Sequence, residues 1–395
     1  MFSYFKSIEN KFYIFSRLVS VTIKPLLLFV SLSFGYKEFG TIIAMIFLIN
    51  STNMMFFSIP IFRNFFINKN HKSTLRKKYY STKYKFEIIL IFSISIIFLI
   101  PINIFFESGL EIFFCSISIY SINKIYDEIQ RLLIIKKNFY KWSIITNFKN
   151  LTLTILLLSP ILGINILYFF FIYFFINFFV LYKFIKISFN FYFISRKKIN
   201  KFFQYIWNNK QIYIINYFIL FYNLGDKILI GKNYKEILIE YMFLSNILTI
   251  PLSCIHFFYI AKYRTEFVKN DINFKEVILG KNFNYLLIST FFITSLIILI
   301  YLNLYPSKLS IESIIFLLLI YLIKSYNLIL NEVIYWKNFY RKFFFFEFVF
   351  FVLIILFFLS IVHFSLNLNI FLFLLLIFFI IKFTFKLFYF KKYNF

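Results

Sequence analysis

The sequence is poor in the residues that build most soluble active sites. It holds only 2 cysteines, 3 histidines and 16 acidic residues in 395. Cys115 and Cys254 stand in separate apolar stretches with no CxxC spacing, so neither a disulfide framework nor a zinc site is predicted. The histidines are scattered along the chain. We therefore expect no metal and no cofactor.

Glycine and proline are also scarce, with 7 and 6 residues, and the glycines are isolated. The chain has no glycine-rich phosphate loop, no HExxH motif and no GxSxG motif. We therefore expect neither ATP use nor an enzyme. Energy for any transport would come from an ion gradient, the membrane potential or the substrate gradient.

Apolar residues dominate the chain. They make up 61% of it, charged residues only 15%, and the mean hydropathy is +0.81. Soluble domains are nearer half apolar and a quarter charged. Twelve continuous apolar runs are long enough to cross a bilayer as helices, for which about 20 residues are needed. The predicted spans are 12–34, 39–62, 86–106, 110–135, 142–162, 164–185, 211–231, 237–260, 282–304, 309–335, 343–363 and 367–390.

Positive charge alternates between the two sides of these spans. Most of the 43 Lys and Arg residues fall at the N-terminus, in every second loop and at the C-terminal end. Lys382 and Lys386 are included in the C-terminal end. The opposite loops hold few. The positive-inside rule then predicts an all-α polytopic protein of the bacterial inner membrane with both termini cytoplasmic. The basic loops fit contact with anionic lipid head groups, so the net charge of +27 does not indicate nucleic-acid binding.

The connection between spans six and seven is the best candidate for a linker. It carries Arg196, Lys197, Lys198 and Lys201. We predict a six-helix lobe over 1–190, a basic linker over 191–210 and a second six-helix lobe over 211–395. An even number of spans in each half makes the halves parallel repeats. Tyr36-Lys37-Glu38 before the second span and Tyr234-Lys235-Glu236 before the eighth hint at this repeat.

Ionisable residues inside the spans are the candidate functional residues, because charge at membrane depth is costly and usually faces a wet interior. Arg17 and Lys24 are seven residues apart and therefore share one helix face, with no acid between them. They fit either a lining for an anionic substrate such as a phosphate or structural pairing with other helices. The others are Lys124, Asp127, Glu128, Arg131, Lys149, Asp226, Lys227, Lys324 and Glu332.

The fourth span has its charges three and four residues apart, which places opposite charges side by side on one helix. Asp127 or Glu128 can carry a coupling proton, or the set can be a structural network. Both interpretations stay open at this point.

Two stretches resemble a known family. Gly225-Asp226-Lys227-Ile228-Leu229-Ile230-Gly231, followed by Tyr241 and Pro251, resembles a region of the polysaccharide (O-antigen) flippases. These belong to the multidrug/oligosaccharidyl-lipid/polysaccharide exporter superfamily. Glu240 stands where that family has a glycine before the tyrosine. The stretch from Phe34 to Gly40 is similar to the family's first hairpin.

The resemblance implies two six-helix lobes around a central cavity that opens alternately to each side. The implied substrate is an undecaprenyl-diphosphate-linked oligosaccharide, and the implied partners are a polysaccharide polymerase and a chain-length regulator. On this view Arg17 and Lys24 are the first candidates to bind the diphosphate, with Lys124, Lys149 and Lys324 after them. Asp226 matches the family stretch and either binds substrate or holds span seven in place.

Three other functions compete with this interpretation. A multidrug or cation exporter of the same superfamily should have a mainly acidic site, whereas basic residues predominate here. A polysaccharide polymerase or ligase typically has a large extracytoplasmic loop, and none is predicted. A lipid II flippase usually has two further helices, for which the chain has no room after residue 390.

Overall fold

The computed structural model describes residues 8–56, 96–97, 99–135, 139–188, 204, 207–208, 210–255, 281–305, 307–336, 340–364 and 366–392. Throughout these residues the regular structure is helical, without a strand. Seven helices among the described residues are long and apolar enough to cross a membrane. The chain is therefore an α-helical polytopic membrane protein.

The first half of the chain contains five long helices: α1 (Ile8–Ser33), α2 (Lys37–Phe56), α3 (Leu110–Ile135), α4 (Phe139–Leu153) and α5 (Ile166–Ser188). A helical stretch at 99–105 precedes α3. After α4 the chain tightens into a 3-10 turn, Thr154–Leu157, and then a short helix, Leu158–Leu162. Gly163 ends that helix in the left-handed conformation, with φ of 66°.

The second half contains six long helices: α6 (Lys210–Asn233), α7 (Leu238–Cys254), α8 (Lys281–Leu304), α9 (Ile311–Trp336), α10 (Tyr340–Phe364) and α11 (Leu368–Lys392). A 3-10 turn, Lys235–Ile237, leads into α7. Phenylalanine-rich faces meet within this half. For example, the rings of Phe218 and Phe351 stack with centroids 4.3 Å apart, which joins α6 to α10.

The described residues up to Gln204 form one compact unit and those after it form another. In the N-terminal unit α1 packs against α4 and α2, and α3 packs against α2, α4 and α5. In the C-terminal unit α6 packs against α10 and α7, α7 against α8 and α9, and α9 against α11. Each unit thus has its own set of buried helix faces.

The seven apolar helical segments coincide with predicted spans 1, 5, 8, 9, 10, 11 and 12. They are Phe15–Ser33, Tyr140–Leu162, Lys235–Cys254, Phe283–Leu304, Ile311–Asn331, Phe343–Phe364 and Leu368–Tyr389. Helices α2, α3, α5 and α6 overlap spans 2, 4, 6 and 7. Most of span 3 lies outside the described residues. The count of twelve spans therefore stays a prediction.

The two Tyr-Lys-Glu motifs both lie at the start of a helix, although the turns that lead into them differ. Gly35, with φ of 74°, ends the segment after α1, and α2 begins at Lys37 with Glu38 in its first turn. In the C-terminal unit the 3-10 turn begins at Lys235 and carries Glu236 just before α7. In each case an acidic side chain lies near a helix N-terminus, where the helix dipole favours it.

Candidate functional site

Arg17 lies in an aromatic cradle in the N-terminal unit. Its guanidinium carbon lies 3.9 Å from the centre of the Trp142 ring, so a cation–π contact joins α1 to α4. Its Nε and Nη2 donate hydrogen bonds to the Tyr13 hydroxyl at 3.2 and 3.0 Å. The Tyr13 and Trp142 rings also pack together, with centroids 4.7 Å apart. Arg17 therefore ties two helices together, whatever else it binds.

Lys24 and Lys149 are held differently. The Nζ of Lys24 lies 5.1 Å from the centre of the Phe47 ring, and that of Lys149 lies 5.6 Å from the centre of the Tyr126 ring. Neither ammonium group makes a hydrogen bond or an ion pair within the described part of the chain. Both side chains are partly exposed. These two lysines can therefore accept an anion.

One carboxylate acts on all three of these cations. Asp127, on α3, attracts Arg17, Lys24 and Lys149, while Lys149 repels Lys24. The structure thus brings three predicted substrate-binding residues and one predicted coupling residue into one electrostatic group. Among the described side chains of this group a single acid faces three bases, so positive charge is in excess.

The remaining predicted residues of the N-terminal unit divide into two cases. Lys124 is buried on α3, and its side chain has partners within the unit. The side chains of Glu128 and Arg131 lie outside the described part of the structure. The prediction that Glu128 carries a coupling proton or belongs to a structural network of charges therefore stays a prediction.

In the C-terminal unit Asp226 joins three helices. The Tyr241 hydroxyl on α7 donates a hydrogen bond of 2.7 Å to Asp226 Oδ2, and the Lys324 Nζ on α9 lies 3.6 Å from Oδ1. All three side chains are at least 95% buried. Asp226 and Lys324, predicted separately, thus form one ion pair that holds α6, α7 and α9 together.

Glu240, which departs from the family pattern, has a structural position. Its Oε2 accepts a hydrogen bond of 3.0 Å from the backbone N–H of Lys308, and its Oε1 accepts one from the Ser307 hydroxyl. The Tyr301 hydroxyl donates to Oε1 at 3.5 Å. The carboxylate therefore fastens the connection between α8 and α9, which a glycine could not do.

A second charged cluster lies between α10 and α11. Glu347 is fully buried, with Lys382 Nζ 2.7 Å from its Oε2 and Lys386 Nζ 2.9 Å from its Oε1. Lys386 also donates to Asn331 Oδ1, and Lys382 lies over the Tyr222 ring. Two lysines thus share one carboxylate.

A pocket opens beside both clusters, with about 30 Å³ of space for the centres of water molecules, and we call it the lysine pocket. Ile219, Leu252 and Phe379 supply apolar wall from α6, α7 and α11. The polar wall comes from α6, α9 and α11 and consists of lysines and asparagines. These are Lys324, Lys382 and Lys386 together with Asn223, Asn327 and Asn331.

The sequence analysis missed most of this pocket. Lys382 and Lys386, which the charge count includes in the cytoplasmic C-terminal end, are both buried within α11, and the side of the membrane on which that end lies stays a prediction. Glu347, inside predicted span 11, was not noted at all. The available signal was the spacing of four between Lys382 and Lys386, which places them on one helix face inside an apolar run.

No group of three or more His, Cys, Asp or Glu side chains able to hold a metal ion occurs among the described residues. No protein-family model, no curated protein and no solved structure matches the chain. Support for a function therefore comes from the geometry and from the two sequence stretches named above.

Proposed function

We propose that the chain is a transporter that moves an undecaprenyl-diphosphate-linked oligosaccharide from the inner to the outer leaflet by alternating access. The observation that carries this proposal is the pair Lys24 and Lys149. Both are cations in membrane-spanning helices, and both lack a carboxylate within ion-pair distance in the described part of the chain. Cations held this way at membrane depth attract an anion, because the low dielectric strengthens the interaction.

The two buried carboxylates of the C-terminal unit, those of Asp226 and Glu347, favour an anionic over a cationic substrate. Asp226 is engaged by Tyr241 and Lys324, and Glu347 by two lysines. A carboxylate that is already paired offers little to an organic cation. The multidrug or cation exporter is therefore the weaker candidate.

The proposal includes an architecture and a setting. We propose twelve spans in two six-helix lobes around a central cavity, in the bacterial inner membrane, with both termini cytoplasmic. The basic cytoplasmic loops contact anionic membrane lipids. A polysaccharide polymerase and a chain-length regulator are the proposed protein partners, and the chain itself acts as a transporter rather than as an enzyme.

The test is a translocation assay with purified protein in liposomes and a short undecaprenyl-diphosphate-linked glycan. Wild type is compared with Lys24→Ala and Arg17→Ala. We expect wild type to translocate the glycan and Lys24→Ala to lose at least tenfold in rate, because the variant lacks a charge that meets the diphosphate. Lys37→Ala is the matched control, since Lys37 is exposed at the start of α2.

Four results separate the parts of the proposal. Loss in both variants, with thermal stability unchanged, supports a diphosphate site in α1. Loss in Arg17→Ala alone, together with a lower melting temperature, assigns Arg17 to structure. Translocation unaffected by either change retains the function and rejects the site. No translocation of several such glycans by wild type would contradict the function itself.

A further inference from the structure

We propose that the lysine pocket of the C-terminal unit is a binding site for a phosphate-class oxyanion. All residues that line it belong to the C-terminal unit, whereas Lys24 and Lys149 belong to the N-terminal unit. That the oxyanion is the diphosphate of a lipid-linked substrate rests on the proposed function. The presence of an oxyanion site does not.

Among the described side chains, the charges of the pocket do not balance. Three ammonium groups, those of Lys324, Lys382 and Lys386, face two carboxylates, those of Asp226 and Glu347. All five side chains are at least 95% buried, and Lys386 repels Lys382. An uncompensated charge inside a membrane-spanning bundle is costly. One negative charge placed in the pocket would remove this cost.

The pocket also presents donors that its internal pairs do not use. Lys324 Nζ lies 3.6 Å from Asp226, too far for a good hydrogen bond, and makes none within the described residues. Asn331 Oδ1 accepts a hydrogen bond from Lys386 Nζ. The amide nitrogen of Asn331 is therefore still available as a donor. Ammonium and amide N–H groups around one cavity match the several acceptor oxygens of a phosphate.

The depth of the pocket indicates the side from which an anion enters. Asn331 is five residues before the end of α9, Glu347 seven after the start of α10, and Lys386 six before the end of α11. At 1.5 Å per residue these positions lie about 8–10 Å inside the helix ends. The positive-inside prediction places those ends at the cytoplasmic face. The pocket therefore suits a phosphate group that arrives from the inner leaflet.

The test measures pyrophosphate binding by calorimetry to the full chain in phosphatidylcholine nanodiscs. All variants are made in a Lys24→Gln/Lys149→Gln background, which removes the other candidate site. Salt is set high enough to screen the exposed loop charges. We expect Lys382→Gln to weaken binding at least tenfold and Glu347→Gln to tighten it. Adding both changes should restore an affinity near that of the background protein.

The opposite signs distinguish binding from structural damage, since damage to the fold would weaken binding in every variant. Lys308→Gln, an exposed lysine of the α8–α9 connection, is the control and should change nothing. If Glu347→Gln does not fold, the pyrophosphate affinity of Lys382→Gln is compared with that of Lys308→Gln, and this comparison tests the site. Absence of pyrophosphate binding would overturn the proposal. A loss of affinity of the same size in Lys382→Gln, Glu347→Gln and Lys308→Gln would overturn it as well.

Two further arms identify the source of the anion. Nanodiscs containing undecaprenyl diphosphate should compete with pyrophosphate, whereas those containing an anionic glycerophospholipid should not. Competition by the polyprenyl diphosphate supports the lipid-linked substrate. Competition by neither lipid, with pyrophosphate still bound, upholds the oxyanion site and contradicts the lipid assignment. Because this readout is binding, a failed translocation assay leaves its result unaffected.

Discussion

Lys24 and Lys149 of the N-terminal unit lie over aromatic rings, whereas Lys324, Lys382 and Lys386 of the C-terminal unit lie within 3.6 Å of a carboxylate. A ring attracts a cation by roughly 0.5–2 kcal/mol without neutralising it. A carboxylate at ion-pair distance cancels most of the charge. The lysines of the N-terminal unit thus have no carboxylate at ion-pair distance within the described residues, whereas the three lysines of the C-terminal unit share two carboxylates.

The acids show the same contrast. Asp127 is partly exposed and acts on three cations from a distance, while Glu347 is fully buried between two lysines. The cations of the N-terminal unit are thus not tied to their acid by an ion pair within the described residues. The C-terminal unit depends on its acids for the integrity of the fold. Variants can break or sharpen this difference.

The largest expected effect is on Glu347. We expect Glu347→Gln to lower the free energy of unfolding by about 3–5 kcal/mol, because it leaves two buried lysines with no carboxylate. Asp127→Asn is the matched change in the N-terminal unit and should cost less than about 1 kcal/mol. Denaturation of purified protein in detergent measures both. Equal losses would remove the contrast between the units.

Tyr241→Phe tests the ion pair of Asp226. The variant keeps the ring and removes the hydroxyl that donates a hydrogen bond of 2.7 Å to Asp226 Oδ2. A buried hydrogen bond to a charged group contributes about 1.5–3 kcal/mol, so we expect a loss of that size. The control is Tyr173→Phe, because the buried hydroxyl of Tyr173 has no hydrogen-bond partner among the described residues. A loss no greater than the control's would show that Asp226 does not depend on α7.

Gly225→Ala tests the packing of α6 against α10 beside Asp226. A Cβ at this position would lie 2.5 Å from Cε2 of the Phe358 ring. Overpacking of this kind costs about 1–3 kcal/mol, and we expect the melting temperature to fall accordingly. Gly109→Ala is the control, since nothing lies within 4 Å of its added Cβ. A melting temperature unchanged by Gly225→Ala would mean that α10 can move away from α6.

The smallest expected effect is on the Arg17 cradle. Tyr13→Phe keeps the ring but removes the hydroxyl that accepts two hydrogen bonds from Arg17. We expect a loss of about 0.5–1.5 kcal/mol in unfolding free energy, because the Trp142 contact remains. Tyr140→Phe, on a more exposed side chain of α4, provides the comparison. A loss above about 3 kcal/mol would show that the ring contact contributes little.

The helices were largely predictable and the clusters were not. Hydropathy places span 10 at 309–335 and span 12 at 367–390, and the structure has α9 at Ile311–Trp336 and α11 at Leu368–Lys392. An average over about 20 residues finds such runs because backbone groups in lipid must be paired internally. The same average hides single charges, so Glu347, Lys382 and Lys386 escaped notice. The 3-10 turn at Thr154–Leu157 also escaped, since hydropathy carries no information about hydrogen-bond pattern.

Pairings between distant helices were the other limit. The sequence marked Asp226 and Lys324 as intramembrane charges but gave no reason to join them across 98 residues. The Arg17 contact with Trp142 likewise depends on how α1 packs against α4. Such contacts follow from tertiary packing, which local spacing does not determine.

The most direct test of the account is the sign of the transported charge. In the same proteoliposomes, wild-type protein is assayed for translocation of an undecaprenyl-diphosphate-linked glycan and for efflux of an organic cation. We predict translocation of the glycan and no efflux of the cation, because basic residues outnumber acids in both charged groups among the described residues. Efflux of the cation without translocation of the glycan would contradict it and would indicate a cation exporter.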